Sequence, residues 1–224
     1  PINANHQEYV GRVTFGDGQT VTNTNSFHAI HVTGTVIASG VQTNARGMAN
    51  TATARTFDWD NDESEAIAEA MNGMLLSNHS YGVPVASVSA TPWYIGAYSQ
   101  EAYNWDVISY SFPYYLPIMS AGNDGAATNP SPTTAGYDKL NGNKNAKNIL
   151  TIANAQDATV NATTGAITGG AAINTSSSQG PSDDRRIKPD LTGNGTGLTS
   201  TGNGTGTGGG NTDYSSLSGT SMAA

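Results

Sequence analysis

Near the end of the chain, Ser218-Gly219-Thr220-Ser221-Met222-Ala223-Ala224 sets a glycine and two hydroxyls ahead of good helix formers. The pattern reads as a tight turn feeding a helix N-terminus, with Ser221 at the junction. A hydroxyl there is exposed, and the first helical N–H groups lack partners, so the surroundings are electropositive and suit a developing oxyanion. The same residues also fit an N-cap serine on a structural helix. For nucleophilic chemistry the serine needs a base, a group that orients the base, and donors for the oxyanion. Imidazole is the natural base because its pKa lies near working pH, and the chain offers His6, His28, His31 and His79. His28 is favoured because it opens an apolar stretch, where its ring can face a cleft, while His31 lies one turn deeper and packs. Each also fits a structural histidine. For the oxyanion, Asn123 in Gly122-Asn123-Asp124-Gly125 is the best donor, just past an apolar strand. By composition alone, those four residues fit an ordinary β-turn better.

These side chains need elements to hold them. Phe27–Gly40 is apolar nearly all round, as in a buried helix that stops at Gly40, and a central strand competes with that reading. Tyr9–Phe15 and Thr51–Trp59 read as strands. Asp60–Glu63 looks like an acidic helix start, and Ser64–Met74 is the clearest amphipathic helix. Leu75–Tyr81 is an apolar strand, Gln100–Ser111 a helix, and Tyr114–Ser120 and Ile149–Ala155 are further strands. The order β-α-β-α-β predicts an α/β fold with a mostly parallel sheet, whose function collects at the carboxyl ends of its strands. Residues 156–212 are rich in Gly, Thr and Asn and read as a long surface connection. The Gly204, Gly206, Gly209 spacing resembles a nucleotide loop, but no apolar strand leads into it.

With 224 residues, one domain with a substantial core is expected. A net charge of −8 with only 9 Lys+Arg argues against nucleic acid or anionic membrane as partner. The absence of cysteine excludes disulfides, thiol catalysis and Cys-ligated metals. No apolar run approaches the roughly 18 residues of a membrane span. Only 12% of residues are charged, which is more typical of a secreted surface than a cytosolic one.

Several blocks together resemble the subtilisin-like serine proteases (subtilases). His28-Ala29-Ile30-His31-Val32-Thr33-Gly34-Thr35 is similar to their HGTHVAGT block, Ser120-Ala121-Gly122-Asn123-Asp124-Gly125 to AAGNEG, and Gly219-Thr220-Ser221-Met222-Ala223-Ala224 to GTSMAAP. Ser176–Pro181 and Ile187–Leu191 resemble the stretch before the family's serine, and Asn78–Gly82 resembles its NxSxG strand. The blocks stand in family order from residue 28 to residue 224. The resemblance implies a subtilisin-like three-layer fold, with a mostly parallel sheet between helices, and a serine endopeptidase acting on polypeptides. It implies Ser221 as nucleophile, His28 as general base, and Asn123 with the Ser221 N–H as oxyanion donors. Ser80, Tyr81 and Gly82 would bind an extended peptide as an added strand, and Ala121 and Gly122 would wall the specificity pocket. Bacterial-type secretion, a propeptide, C-terminal domains and structural calcium are further implications. Asp183-Asp184 and Asp58, Asp60 and Asp62 are conceivable calcium ligands, though surface aspartates are usually only solvated, and no metal site is assigned.

There are departures from the family pattern. Ile30 stands where the family has threonine, adding bulk near the site, and Gly193-Asn194-Gly195 replaces Ala-Pro-Gly, which matters less. The family's triad aspartate precedes its histidine. Asp17, the one aspartate before His28, sits in a Gly-Asp-Gly loop with no apolar strand before it. The resemblance of His6–Tyr9 to a segment that follows the triad aspartate puts that aspartate before Pro1. Residues 1–224 are thus expected to be one catalytic domain truncated at both ends, unstable in isolation. Without the carboxylate the imidazole adopts the wrong tautomer, at a cost of about 10⁴ in rate. A peptide-binding pseudoprotease is the alternative. Asp124, near the pocket rim, suggests tolerance for basic or polar side chains.

Overall fold

The computed structural model describes residues 2–18, 27–128, 137–202 and 210–224. In chain order the elements are β1 (Val13–Phe15), α1 (Phe27–Ile37), β2 (Ala54–Thr56), α2 (Asp62–Met71), β3 (Leu76–His79), α3 (Gln100–Ser111), β4 (Leu116–Ser120), β5 (Leu150–Ala155), β6 (Thr159–Val160), β7 (Ile167–Gly169), β8 (Leu191–Asn194), β9 (Leu198–Thr201), β10 (Tyr214–Leu217) and α4 (Thr220–Ala223). The chain divides into two compact units. One comprises Pro1–Asp62 with Gly197–Ser218, and the other Glu63–Thr196 with Gly219–Ala224.

The larger unit is built on a four-stranded sheet in the order β3-β4-β5-β8, parallel throughout. α3 connects the consecutive parallel strands β3 and β4, as the alternating pattern predicts. α3 starts where the Ser99 hydroxyl accepts the Ala102 N–H. Its Ala102, Trp105 and Ile108, three residues apart, bury one face against Ala66 of α2, Tyr115, Met119 of β4 and Ile149. Trp105 has no exposed area, and truncating such a residue typically costs about 3–5 kcal/mol.

The stretch 156–212 differs from the surface connection read in the sequence. β6 and β7 form a hairpin, β8 completes the parallel sheet, and β9 pairs antiparallel with β10. β8 and β9 have few large apolar residues, and backbone ladders to their neighbours define them instead. Gly204, Gly206 and Gly209 lie outside the described residues. Gly193 and Gly195 matter more than their sequence suggests. A Cβ on Gly193 would meet the Ala223 carbonyl oxygen at 2.5 Å, and one on Gly195 would strike the Gly219 carbonyl. The two glycines let α4 lie directly on β8.

In the smaller unit β1 pairs parallel with β2. Ile30 and Ile37 of α1 join Ile2 and Tyr9 in its core. α1 ends at Ile37, before Gly40. β1 is shorter than expected because Gly11, at φ +76°, turns the chain after Tyr9. The Ser200 and Thr201 hydroxyls of β9 donate to the His31 and Ile30 carbonyls, both at 2.8 Å. A Cβ on Gly34 would strike both hydroxyls, so a glycine in mid-helix serves the close approach of α1 to β9.

Candidate active site

α4 begins at Thr220, with Gly219 before it in extended backbone (φ 163°, ψ 163°). Ser221 is 7% exposed, and its N–H belongs to the first helical turn, which has no intrahelical acceptors. Its Oγ makes a long hydrogen bond to the Ser80 carbonyl, 3.4 Å, while the single Ser80 hydroxyl proton is shared between two acceptors, the Ser221 carbonyl at 3.0 Å and Asn78 Oδ1 at 2.8 Å. A hydroxyl donating to a carbonyl is not activated, so any attack by Ser221 needs a separate base.

Asn123 follows β4 and is exposed. Its Oδ1 accepts the Thr220 N–H at 2.9 Å and the Thr220 hydroxyl at 3.2 Å. The Gly122 N–H donates to Thr220 Oγ1 at 3.0 Å. Two donors on one amide oxygen settle which way the amide faces. Oδ1 turns toward Thr220, and Nδ2 makes no hydrogen bond among the described residues. Thr220, fully buried, is a brace that the sequence reading missed. It lay inside a quoted motif, but nothing in its type separates a brace from an ordinary first-turn threonine.

Ser221 and Asn123 share a cleft of about 230 Å³. Ser80, Tyr81 and Gly82 line it, as do Ala121 and Gly122, so the five residues named for substrate binding border the same space as Ser221 and Asn123. Lys139, Asn141 and Lys144 also line it, and none was expected, since they lie in a polar loop without periodicity. Asn141 Nδ2 donates to the Val83 carbonyl at 2.9 Å and steadies the chain beyond Gly82. Burial pushes the Lys144 pKa below its ordinary value, against the opposing pull of Glu101 and Asp124.

His28 lies in the first turn of α1, in the smaller unit, and is exposed. Protein atoms around the ring disfavour its cation and hold its pKa below the ordinary 6.5. The other histidines have their rings occupied. His6 Nε2 meets the Asp213 carbonyl at 2.8 Å and its Nδ1 accepts the Glu8 N–H. His79 sits between the Ser77 and Tyr81 hydroxyls, at 2.6 Å from each. Buried His31 directs Nε2 at the Leu198 and Ser215 carbonyls, at 3.1 and 3.2 Å. Both are acceptors, so Nε2 carries the proton. Burial lowers the His31 pKa, and the two carbonyls only partly oppose this. Among the described residues His28 alone has a ring without a hydrogen bond.

Ile30 has no exposed area and packs with Ile2, Tyr9 and Ile37. It therefore adds bulk to the core and not to a site, contrary to the expectation from sequence. Asp17 Oδ2 accepts the Asp58 N–H at 2.7 Å. No carboxylate among the described residues shifts the His28 pKa upward. Asp184 holds Arg186, and Asp58 accepts the Asp60 N–H. Among the described residues no group of three or more His, Asp or Glu could hold a metal ion, and no helix is long and apolar enough to cross a membrane.

The sequence model described as Subtilase family matches residues 2–224. Comparison with curated proteins gives no match. Among solved structures, the chain is similar to "Structure of Patellamide maturation protease PatG" (15% identity, TM-score 0.54, 89% of this chain and 48% of that one). It is likewise similar to "PatG macrocyclase domain" (15% identity, TM-score 0.57, 89% and 49%). This chain therefore spans about half the length of either, and the likeness concerns the fold, whose parallel sheet and helices match.

Proposed function

The chain belongs to the subtilase family of serine peptidases, and on that premise we propose that it forms the catalytic part of an endopeptidase working by acyl transfer. Ser221 Oγ attacks the scissile carbonyl while His28 takes the hydroxyl proton. The oxyanion receives hydrogen bonds from Asn123 Nδ2 and the Ser221 N–H. His28 then hands the proton to the leaving amine, and water repeats the sequence on the acyl-enzyme. The extended segment Ser80–Gly82 holds the peptide by its backbone.

The observation that carries this reading is the Thr220 brace, which spends the Asn123 oxygen and leaves its Nδ2 donor free beside Ser221. An amide turned the other way would offer an oxygen to the oxyanion and repel it. In the full-length protein, a fluorophosphonate probe should label Ser221. Ser221→Ala should abolish labelling, and His28→Ala should slow it by several orders of magnitude. Labelling that persists in Ser221→Ala would refute the assignment.

A pseudoprotease that binds extended peptides is favoured by one observation, the lack of any carboxylate acting on His28 among the described residues. Binding without labelling or cleavage in the full-length protein would support it. We also propose secretion, from the low charge content, together with processing of a propeptide. Finding the unprocessed protein only in the cytosol of its producer would refute both.

A further inference from the structure

The floor of the cleft holds a group that the proposed chemistry does not use. Lys144 is 4% exposed and lines the cleft beside Ser221. Among the described residues its one hydrogen bond, to the Tyr81 carbonyl, is 3.4 Å long, beyond the usual range for a strong bond. Among the described residues no carboxylate oxygen lies within 4.0 Å of Nζ. Glu101 and Asp124 act on it only from farther away, and the Glu101 carboxylate already receives the Tyr94 hydroxyl. An ammonium carries three donors, and burying one with donors unspent is costly. The head lies under Gly82, where any Cβ would collide with Nζ. The missing side chain at 82 makes room for the ammonium at the cleft. Lys139 lines the same cleft, and among the described residues Asp124 is the one carboxylate that does so.

We propose that this cleft receives the side chain on the acyl side of the scissile bond and selects an acidic one, whose carboxylate accepts hydrogen bonds from Lys144 Nζ. The inference rests on the peptidase reading and deepens it by naming the substrate class. It reverses the expectation drawn from Asp124, because the buried Lys144 ammonium at the cleft floor has donors left to give. The volume of about 230 Å³ has room for one such side chain, since a single water occupies about 30 Å³.

The test uses the full-length protein and tetrapeptide p-nitroanilides that differ only in the residue before the scissile bond: Glu, Gln, Leu or Lys. A charge-assisted bond of this kind predicts Glu over Gln by about ten- to a hundred-fold in kcat/KM, and Lys144→Met should erase that ratio. A Gln or Lys substrate equal to or better than Glu in the wild type overturns the proposal, whether or not the variant folds. A Glu preference that survives in a folded Lys144→Met protein overturns it too. If no substrate is cleaved and the phosphonate does not label Ser221, the peptidase reading fails separately. The pocket is then judged by equilibrium binding of peptides ending in Glu, Gln or Lys to the Ser221→Ala protein. Tightest binding of the Glu peptide supports the acidic pocket, and any other order refutes it.

Discussion

Glu8→Gln removes a buried carboxylate on which five donors converge. The Gly40, Val41 and Gln42 N–H groups donate to it at 2.7, 3.0 and 2.8 Å, the Ser39 hydroxyl at 3.1 Å and the Tyr214 hydroxyl at 2.6 Å. The clamp gathers the chain that leaves α1, and so anchors the helix carrying His28. Burial by itself would raise the Glu8 pKa, but the bonds from Gln42, Tyr214, Val41 and Gly40 win and hold it at about 2, below the ordinary 4.5. At about 1.4 kcal/mol per pKa unit the whole shift corresponds to about 3 kcal/mol. Hydrogen bonds to a charged group are typically worth about 1.5–3 kcal/mol net, so the working figure is about 2 kcal/mol. Because the folded pKa is depressed, the contribution is present above pH 4.5 and fades as pH falls from 4.5 toward 2. In Glu8→Gln an NH₂ group faces the loop's N–H donors, so the clamp is lost at every pH. Urea denaturation of the full-length protein at pH 7 should show the midpoint lowered by about 1 M, given urea slopes of about 1–3 kcal/mol per molar. The wild type should lose its advantage over the variant as the pH approaches 2. A Glu8→Gln protein with an unchanged midpoint at pH 7 would refute the reasoning, as would an advantage that grows on acidification.

Asn123→Leu should lower kcat by about 10²–10³ with little change in KM, the loss associated with one such donor in subtilisin itself, a member of this family. Steady-state kinetics that show only a KM effect would remove Asn123 from the oxyanion site. Thr220→Val keeps the shape and the backbone N–H bond to Asn123 but loses the hydroxyl half of the brace, and should cost about one hydrogen bond, or roughly five- to ten-fold in kcat. A pH profile of kcat/KM should rise with pH as His28 loses its proton, because only the neutral ring serves as base, and a flat profile would remove His28 from that role; a midpoint below 6.5 would mean that burial alone governs the ring. A midpoint above 6.5 would mean that an acidic partner governs the imidazole. Gly193→Ala should destabilise by about 1–3 kcal/mol in thermal or urea unfolding, because its Cβ would press on the Ala223 backbone. An unchanged stability would show that α4 moves aside freely.

The elements that the sequence made legible are those whose side chains carry their own pattern. α3 covers the predicted Gln100–Ser111 range because Ala102, Trp105 and Ile108 recur on one face behind the Ser99 cap. β4 and β5 are apolar runs, the first fed by α3, and their alternation with helical segments pointed to a parallel sheet. Ser221, Asn123 and His28 could be singled out as candidates because the chemistry and motifs that mark them are local. What stayed hidden depends on atoms far apart in the chain. β8 and β9 are written in Leu, Thr, Ser, Gly and Asn, and they become strands only because β5 and β10 offer them backbone partners. Ile30 looks like an intrusion into a site until the core of Ile2, Tyr9 and Ile37 closes around it. Thr220 acquires its role from the amide of Asn123, 97 positions away. Lys144 acquires its role from a glycine 62 positions earlier that leaves space for its ammonium. A residue's type announces which bonds it can make, but the partner, the burial and the direction of each bond exist only once the chain has brought distant backbone together.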